Sequence, residues 1–90
     1  MTVHLFKIIT SRDEIIIGLS AAELAILGGS DAHTIGRKLA SDGALGVWQY
    51  AVRRAPEGQL EQAPLRHISL LANAALRIEP YDSPLPVVEA

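Results

Sequence analysis

Four side chains in the C-terminal half of the chain have the types and spacing of an anion-binding site. They are Arg53, His67, Arg77 and Glu79, and they lie in segments where apolar and polar residues alternate. Alternation with a period of two places every second residue of a strand on one face of a sheet. Two arginines on such a face can each bind a carboxylate or a phosphate through two parallel hydrogen bonds. The spacing therefore predicts a polar face that binds a small anionic ligand, a nucleotide or an acidic partner.

A second interpretation of the same face needs no ligand. Antiparallel sheets commonly have one face in water, and on that view Arg77 and Glu79 serve only as solubilising charges. Three further residues are predicted to share the face, namely Gln49, Ser69 and Tyr81. We take the solvated face as the default and the binding face as the alternative.

Three strands must position these residues. The segments are "VWQYAVRR", a regular strand over residues 65–72, and "ALRIEPY". Short turns separate them, so they are expected to pair as a three-stranded antiparallel meander. Pro64 cannot donate to a ladder, which is why the second strand is placed after it. The opposite, apolar face of the meander would carry Trp48, Tyr50, Ile68, Leu70 and Ile78.

The N-terminal half predicts a hairpin followed by helix. "VHLFKIIT" and "EIIIGL" are apolar, β-branched runs separated by "SRDE", a pattern typical of two strands and a turn. "SAAE" at residues 20–23 fits a capping box, and Gly28 is a natural left-handed helix stop. Ser30 or Asp31 caps a second helix that Gly43 ends.

Together these elements predict an α+β fold in the order β-β-α-α-β-β-β. One domain is expected over residues 1–80, with two short helices, or one kinked helix, packed on one face of a mostly antiparallel sheet. The helices would bury Leu24, Ile35 and Leu39 against the Trp48 face. The sequence leaves open whether the hairpin joins the main sheet. It also leaves open whether the proline-punctuated tail, residues 81–90, is disordered, adds to the sheet edge of a neighbouring molecule or lies in a groove.

The stretch "LGGSDAHTIG" raises the question of a phosphate site at a helix N-terminus. It does not match the P-loop spacing, and an apolar helical run rather than a strand precedes its glycines. The Asp31 carboxylate would itself accept the free N–H groups that a phosphate needs and would repel an anion. The stretch is therefore interpreted as a corner between two helices.

Composition narrows the classes of function further. The chain has 90 residues, no cysteine and a net charge of −2. His4, His33 and His67 lack ligand spacing, so no metal and no cofactor is expected, and no serine motif indicates an enzyme. Neither a basic field for nucleic acid nor a membrane-spanning run occurs in the sequence. With no secretory leader pattern, a cytoplasmic location is expected.

These observations favour a small non-enzymatic protein–protein interaction module. Hydrophobic residues make up 49% of the chain but aromatic residues only 4%, and a single small core yields only a few kcal/mol. Association into a homodimer would extend that core, and another protein partner is also compatible with the pattern. The alternative from a different class is a small anionic ligand or nucleotide-binding protein that uses Arg53, His67 and Arg77.

Overall fold

A central antiparallel hairpin organises the structure, which is a computed structural model that describes residues 3–73 and 75–89. Over those ranges it has the elements β1 (Val3–Ile9), β2 (Glu14–Ser20), α1 (Ala21–Leu27), α2 (Ala32–Asp42), β3 (Ala44–Arg54), β4 (Leu60–Leu71) and β5 (Arg77–Pro80). The α+β class and the element order are as the sequence predicts.

The five strands form one sheet in the order β4-β3-β2-β1-β5, with every neighbouring pair antiparallel. The N-terminal hairpin is confirmed, and it forms the middle of the main sheet rather than a separate ribbon. The predicted meander is wrong in its third strand, because β5 pairs with β1 and not with β4. The connection from β4 therefore crosses to the opposite edge of the sheet.

The two helices begin and end at the residues that the capping pattern indicates. Ser20 and Glu23 form the capping box of α1, and Gly28 ends that helix in the left-handed conformation. Asp31 is the N-cap of α2, and Gly43 ends it with a φ of 79°. Two separate helices, rather than one kinked helix, thus connect β2 to β3.

Both helices pack on one side of the sheet, which we call the helix face. The core there is a cluster of buried apolar side chains: Phe6, Ile8, Ile17, Leu19, Leu24, Ile35, Leu39, Val47 and Leu70. Ile35 and Ile17 are completely buried, and full burial of such a side chain contributes about 1.5–3 kcal/mol. The expected burial of Leu24, Ile35 and Leu39 is confirmed.

The sheet face predicted for the helices is wrong by one residue along β3. Val47 pairs with Ile68 and lies in the core cluster, so Trp48 and Tyr50 lie on the opposite side, which we call the far face. A shift of one residue moves every side chain of a strand to the other face. Because β3 has apolar residues at both parities, alternation alone does not decide between them.

Strand β4 begins earlier than the sequence predicts and runs through Pro64. Pro64 lies opposite Tyr50, and the register shifts by one residue at this point. The N–H of the neighbouring Gln62 points away from β3, since it donates to the carbonyl of Pro86. By alternation the Pro64 nitrogen also points away, so the missing donor costs no bond to β3.

The C-terminal residues 81–89, which we call the strap, connect the two edges of the sheet across the far face. The Tyr81 N–H donates to the Leu5 carbonyl at 3.0 Å, next to the β5–β1 pairing. Further along, Val87 forms an isolated parallel bridge with Gln62 on β4. The tail thus adds to an edge of its own sheet, and not to that of a neighbouring molecule as the sequence suggested. Ala90 lies outside the described residues.

Within the ranges described, neither helix has the length and apolar character needed to cross a membrane.

Candidate interaction surface

The four predicted ligand-binding residues do not share one patch. His67 lies on β4, whereas Arg77 and Glu79 lie on β5 at the other edge of the sheet. Four strand spacings, on the order of 19 Å along the sheet, separate those edges. Arg53 lies at the parity of β3 that faces the helices, on the side opposite to His67. The predicted common face is wrong because it assumed that β5 lies beside β4.

Each arginine of the predicted site already has a carboxylate partner. Arg53 Nε lies 2.7 Å from Oε2 of Glu61, and an Nη of Arg77 lies 2.7 Å from Oε2 of Glu79. An anionic ligand would have to displace these carboxylates and would be repelled by them. The arrangement disfavours the anion-binding alternative.

The other three predicted members of the face, Gln49, Ser69 and Tyr81, do not lie together. Gln49 lies on the helix-facing side and accepts a 3.0 Å hydrogen bond from Nε of Arg66. Ser69 lies on β4 at the same parity as His67, so it shares the far face. Tyr81 begins the strap, and Lys7 Nζ lies 5.4 Å from the centre of its ring.

His67 packs on the far face with two residues of the neighbouring strand. Its ring meets Trp48 edge to face, with ring centres 5.3 Å apart. A Cβ atom on Gly46 would come within 2.9 Å of the His67 ring, so the ring lies across this glycine. His67 therefore extends an apolar surface of β3 and β4 towards the sheet edge.

The outer edge of β4 has backbone groups that point away from the sheet. The Ala72 N–H donates to the Gly43 carbonyl at 2.9 Å, so Ala72 points towards the β3 side. Since backbone groups alternate along a strand, those of His67, Ser69 and Leu71 point outward. Among residues 3–73 and 75–89, no strand pairs with them on that side.

Exposed leucines lie along the same strand. Leu65 is 57% exposed and Leu71 is 66% exposed. Large apolar side chains beside an unpaired backbone edge are a template for pairing with another chain. Exposed apolar side chains and unpaired backbone groups thus occur together in this part of β4.

The protection of the two sheet edges is uneven. The first half of β4 has Pro64, the register shift and the strap at Gln62, and β5 is only four residues long. Short strands, prolines and irregular pairing are the usual means of guarding an edge. Residues 67–71, "HISLL", contain neither proline nor a Lys, Arg, Asp or Glu residue. We call this segment the free edge.

The corner between the helices is capped internally. Oδ1 of Asp31 accepts hydrogen bonds from the backbone N–H of Thr34 at 3.1 Å and from its hydroxyl at 3.0 Å. These bonds, the backbone one above all, lower the pKa of Asp31. The carboxylate therefore occupies the start of α2, where a phosphate would have to bind.

A cleft of about 680 Å³ lies between α2 and the connection from β4 to β5. Leu39 and Ile78 line it from the core, and His33 and Asn73 contribute polar atoms. In the part of the chain that is described, no group of three or more His, Asp or Glu side chains is arranged to hold a metal ion.

The free edge was not identified from the sequence, although a signal is present. The uncharged run "HISLL" follows "PLR", residues 64–66. Proline and charged residues protect a strand edge from pairing, and they are absent from the run that follows. Recognising it requires knowing that β4 lies at an edge, and that depends on the long-range pairing of β5. In comparisons with known protein families, characterised proteins and solved structures, the chain has no significant match.

Proposed function

We propose that this chain is a small non-enzymatic protein–protein interaction module that self-associates as a homodimer through the free edge of β4. The observation that supports this most is the coincidence, at residues 67–71, of an unpaired backbone edge with the exposed side chain of Leu71 and with the absence of charged residues. Unpaired strand edges bind other strands through their main-chain groups. We also propose that the protein is cytoplasmic, as the sequence predicts.

A second copy of the chain fits this edge by symmetry. If two β4 strands pair antiparallel about a two-fold axis, Ser69 lies opposite Ser69 of the second copy, and His67 lies opposite Leu71. Each copy then uses the same surface, as a two-fold interface requires. The outward N–H and C=O groups of these residues satisfy one another across the interface.

The same pairing would extend the apolar core. Ile68 packs at the margin of the core cluster and is only partly buried. Across the axis it lies opposite Leu70 of the second copy, so the helix faces of the two sheets become continuous. Burial of this additional apolar area contributes about 25 cal/mol per Å². The absence of charge from residues 67–71 means that no like charges meet across the axis.

The experiment compares the full chain with two edge variants by size-exclusion chromatography with light scattering. Ser69→Pro removes an outward N–H and leaves the bonds to β3 in place, and Leu71→Lys places a charge on the free edge. Each is expected to raise the dimer dissociation constant at least about tenfold, the effect of about 1.4 kcal/mol.

Ile26→Lys is the matched control, because Ile26 is 84% exposed on α1, away from β4. It is expected to leave the dissociation constant unchanged. A full chain that stays monomeric at high micromolar concentration would overturn the proposal. An equal effect of Ile26→Lys would show that general surface hydrophobicity, and not the free edge, drives association.

A further inference from the structure

The strap is held on β4 by backbone hydrogen bonds to Gln62. The Gln62 N–H donates to the Pro86 carbonyl, and the Val88 N–H donates to the Gln62 carbonyl, both at 2.8 Å. The Tyr50 hydroxyl donates to the Val88 carbonyl at 2.7 Å. We call Gln62 and Tyr50, with the surface between them, the seat.

The seat recognises the extended shape of a peptide more than its side chains. Its hydrogen bonds to Pro86 and Val88 engage backbone groups of the strap, which is how a strand edge binds an added strand. The rings of Pro84 and Pro86 fix φ at two positions of the strap, which lowers the entropy lost on docking. Pro86 contributes its carbonyl to the bond with Gln62, so the missing N–H of proline removes no hydrogen bond to β4.

The strap is a small unit that can open without unfolding the domain. Leu85, Val87 and Val88 are only partly buried, and pairing with β4 is confined to the Gln62 bridge. Segments with few buried contacts open at much lower free energy than the core. By contrast, Gln62 and Tyr50 are each only 3% exposed, and opening breaks both backbone bonds of Gln62 to the strap.

We propose that the seat also binds the strap of a second copy of this chain. The second strap has the same sequence and can form the same bonds, which is the condition that makes exchange of an element inexpensive. The docked strap of the same chain competes at an effective concentration in the millimolar range. Exchange therefore increases when the chain's own strap is weakened. This inference concerns Gln62 and Tyr50 and does not depend on the free edge.

The test uses the full chain and a fluorescent peptide of residues 82–90, with binding followed by anisotropy. Val88→Pro in the full chain removes the N–H that bonds to Gln62, which frees the seat. Val87→Pro is the matched control, because the N–H of Val87 points away from β4. The peptide is expected to bind the Val88→Pro chain at least about tenfold more tightly than the Val87→Pro chain or the unmodified chain.

Two modified peptides test whether the same bonds form between copies. N-methylation at Val88 blocks the donor to Gln62 and should weaken binding to the Val88→Pro chain about tenfold. N-methylation at Val87 should leave binding unchanged, and a scrambled peptide should not bind. Equal affinities for the two methylated peptides, or no binding of the unmodified one, would overturn the proposal. A Val88→Pro chain that lacks the native circular dichroism spectrum would also overturn it, because a seat that requires its own strap cannot accept another.

Discussion

The ring of Tyr50 lies directly over Gly18 on the far face of the sheet. A Cβ atom at position 18 would overlap the Tyr50 ring, and the atom Cδ1 of that ring would be 2.7 Å away. Gly18 lies opposite Trp48, two residues along β3 from Tyr50, so the Tyr50 ring crosses diagonally to the next strand. Gly18 thus fixes the orientation from which the Tyr50 hydroxyl reaches Val88.

Gly18→Ala is expected to lower the free energy of unfolding by about 1–3 kcal/mol, the usual cost of overpacking a buried site. The added methyl group must displace the Tyr50 ring and with it the bond to the strap. Urea unfolding followed by tryptophan fluorescence measures the change. Gly36→Ala is the control, because a Cβ atom there meets nothing within 4 Å. In the interior of α2 it should raise stability by about 1 kcal/mol. A neutral Gly18→Ala would contradict the described packing.

Gln62→Met is expected to leave the protein as stable as before, or to make it more stable. The side-chain Oε1 of Gln62 is buried without a hydrogen-bond partner among the described residues, and such a group costs about 1–3 kcal/mol. Methionine has a similar shape, and the backbone bonds to the strap do not involve the side chain. The midpoint of thermal unfolding is the measurement.

The neighbouring position gives the contrast. Glu61 is 8% exposed and pairs with Arg53, so Glu61→Met should lower the midpoint by removing a paired carboxylate. A lower midpoint for Gln62→Met than for Glu61→Met would show that the Gln62 amide has a partner after all.

Acid is expected to destabilise the fold through Asp31 and Asp42. Hydrogen bonds from Thr34 lower the pKa of Asp31, and those from Lys38 lower the pKa of Asp42, from the ordinary value of 3.8. A carboxyl group whose pKa is lower in the folded than in the unfolded state stabilises the fold at pH values above its unfolded pKa. This stabilisation is lost as the pH falls through the folded pKa. Urea unfolding between neutral pH and pH 2 follows this loss.

Asp31→Asn isolates one of the two carboxylates. Asparagine is also a favourable N-cap residue, so stability at neutral pH should stay close to that of the unmodified chain. The loss of stability below pH 4 should become shallower, because position 31 no longer titrates. An acid profile identical to that of the unmodified chain would show that Asp31 contributes nothing to it.

Local signals in this sequence predict the elements well. Ser20 with Glu23, Gly28 and Gly43 mark the helix ends, because capping depends on neighbouring residues alone. The hairpin of β1 and β2 follows from two apolar runs with a short turn.

Long-range pairing is where the sequence is insufficient. The partner of β5 depends on which edge is open once the hairpin occupies the centre, and no local pattern encodes that choice. The error in the face of β3 has the same origin, since Leu45 with Val47 and Trp48 with Tyr50 are equally acceptable apolar sets. The predicted site at Arg53, His67 and Arg77 required both choices to be right.

Amide hydrogen exchange by NMR on the full chain tests the proposed interface most directly. The outward N–H groups of His67 and Leu71, with that of Ser69 between them, are compared with the inward ones of Ile68 and Leu70. We expect the inward amides to be protected at every concentration, and the outward amides to become protected only where light scattering shows a dimer. Outward amides that still exchange rapidly in the dimer, or a chain that never dimerises, would contradict association through the free edge.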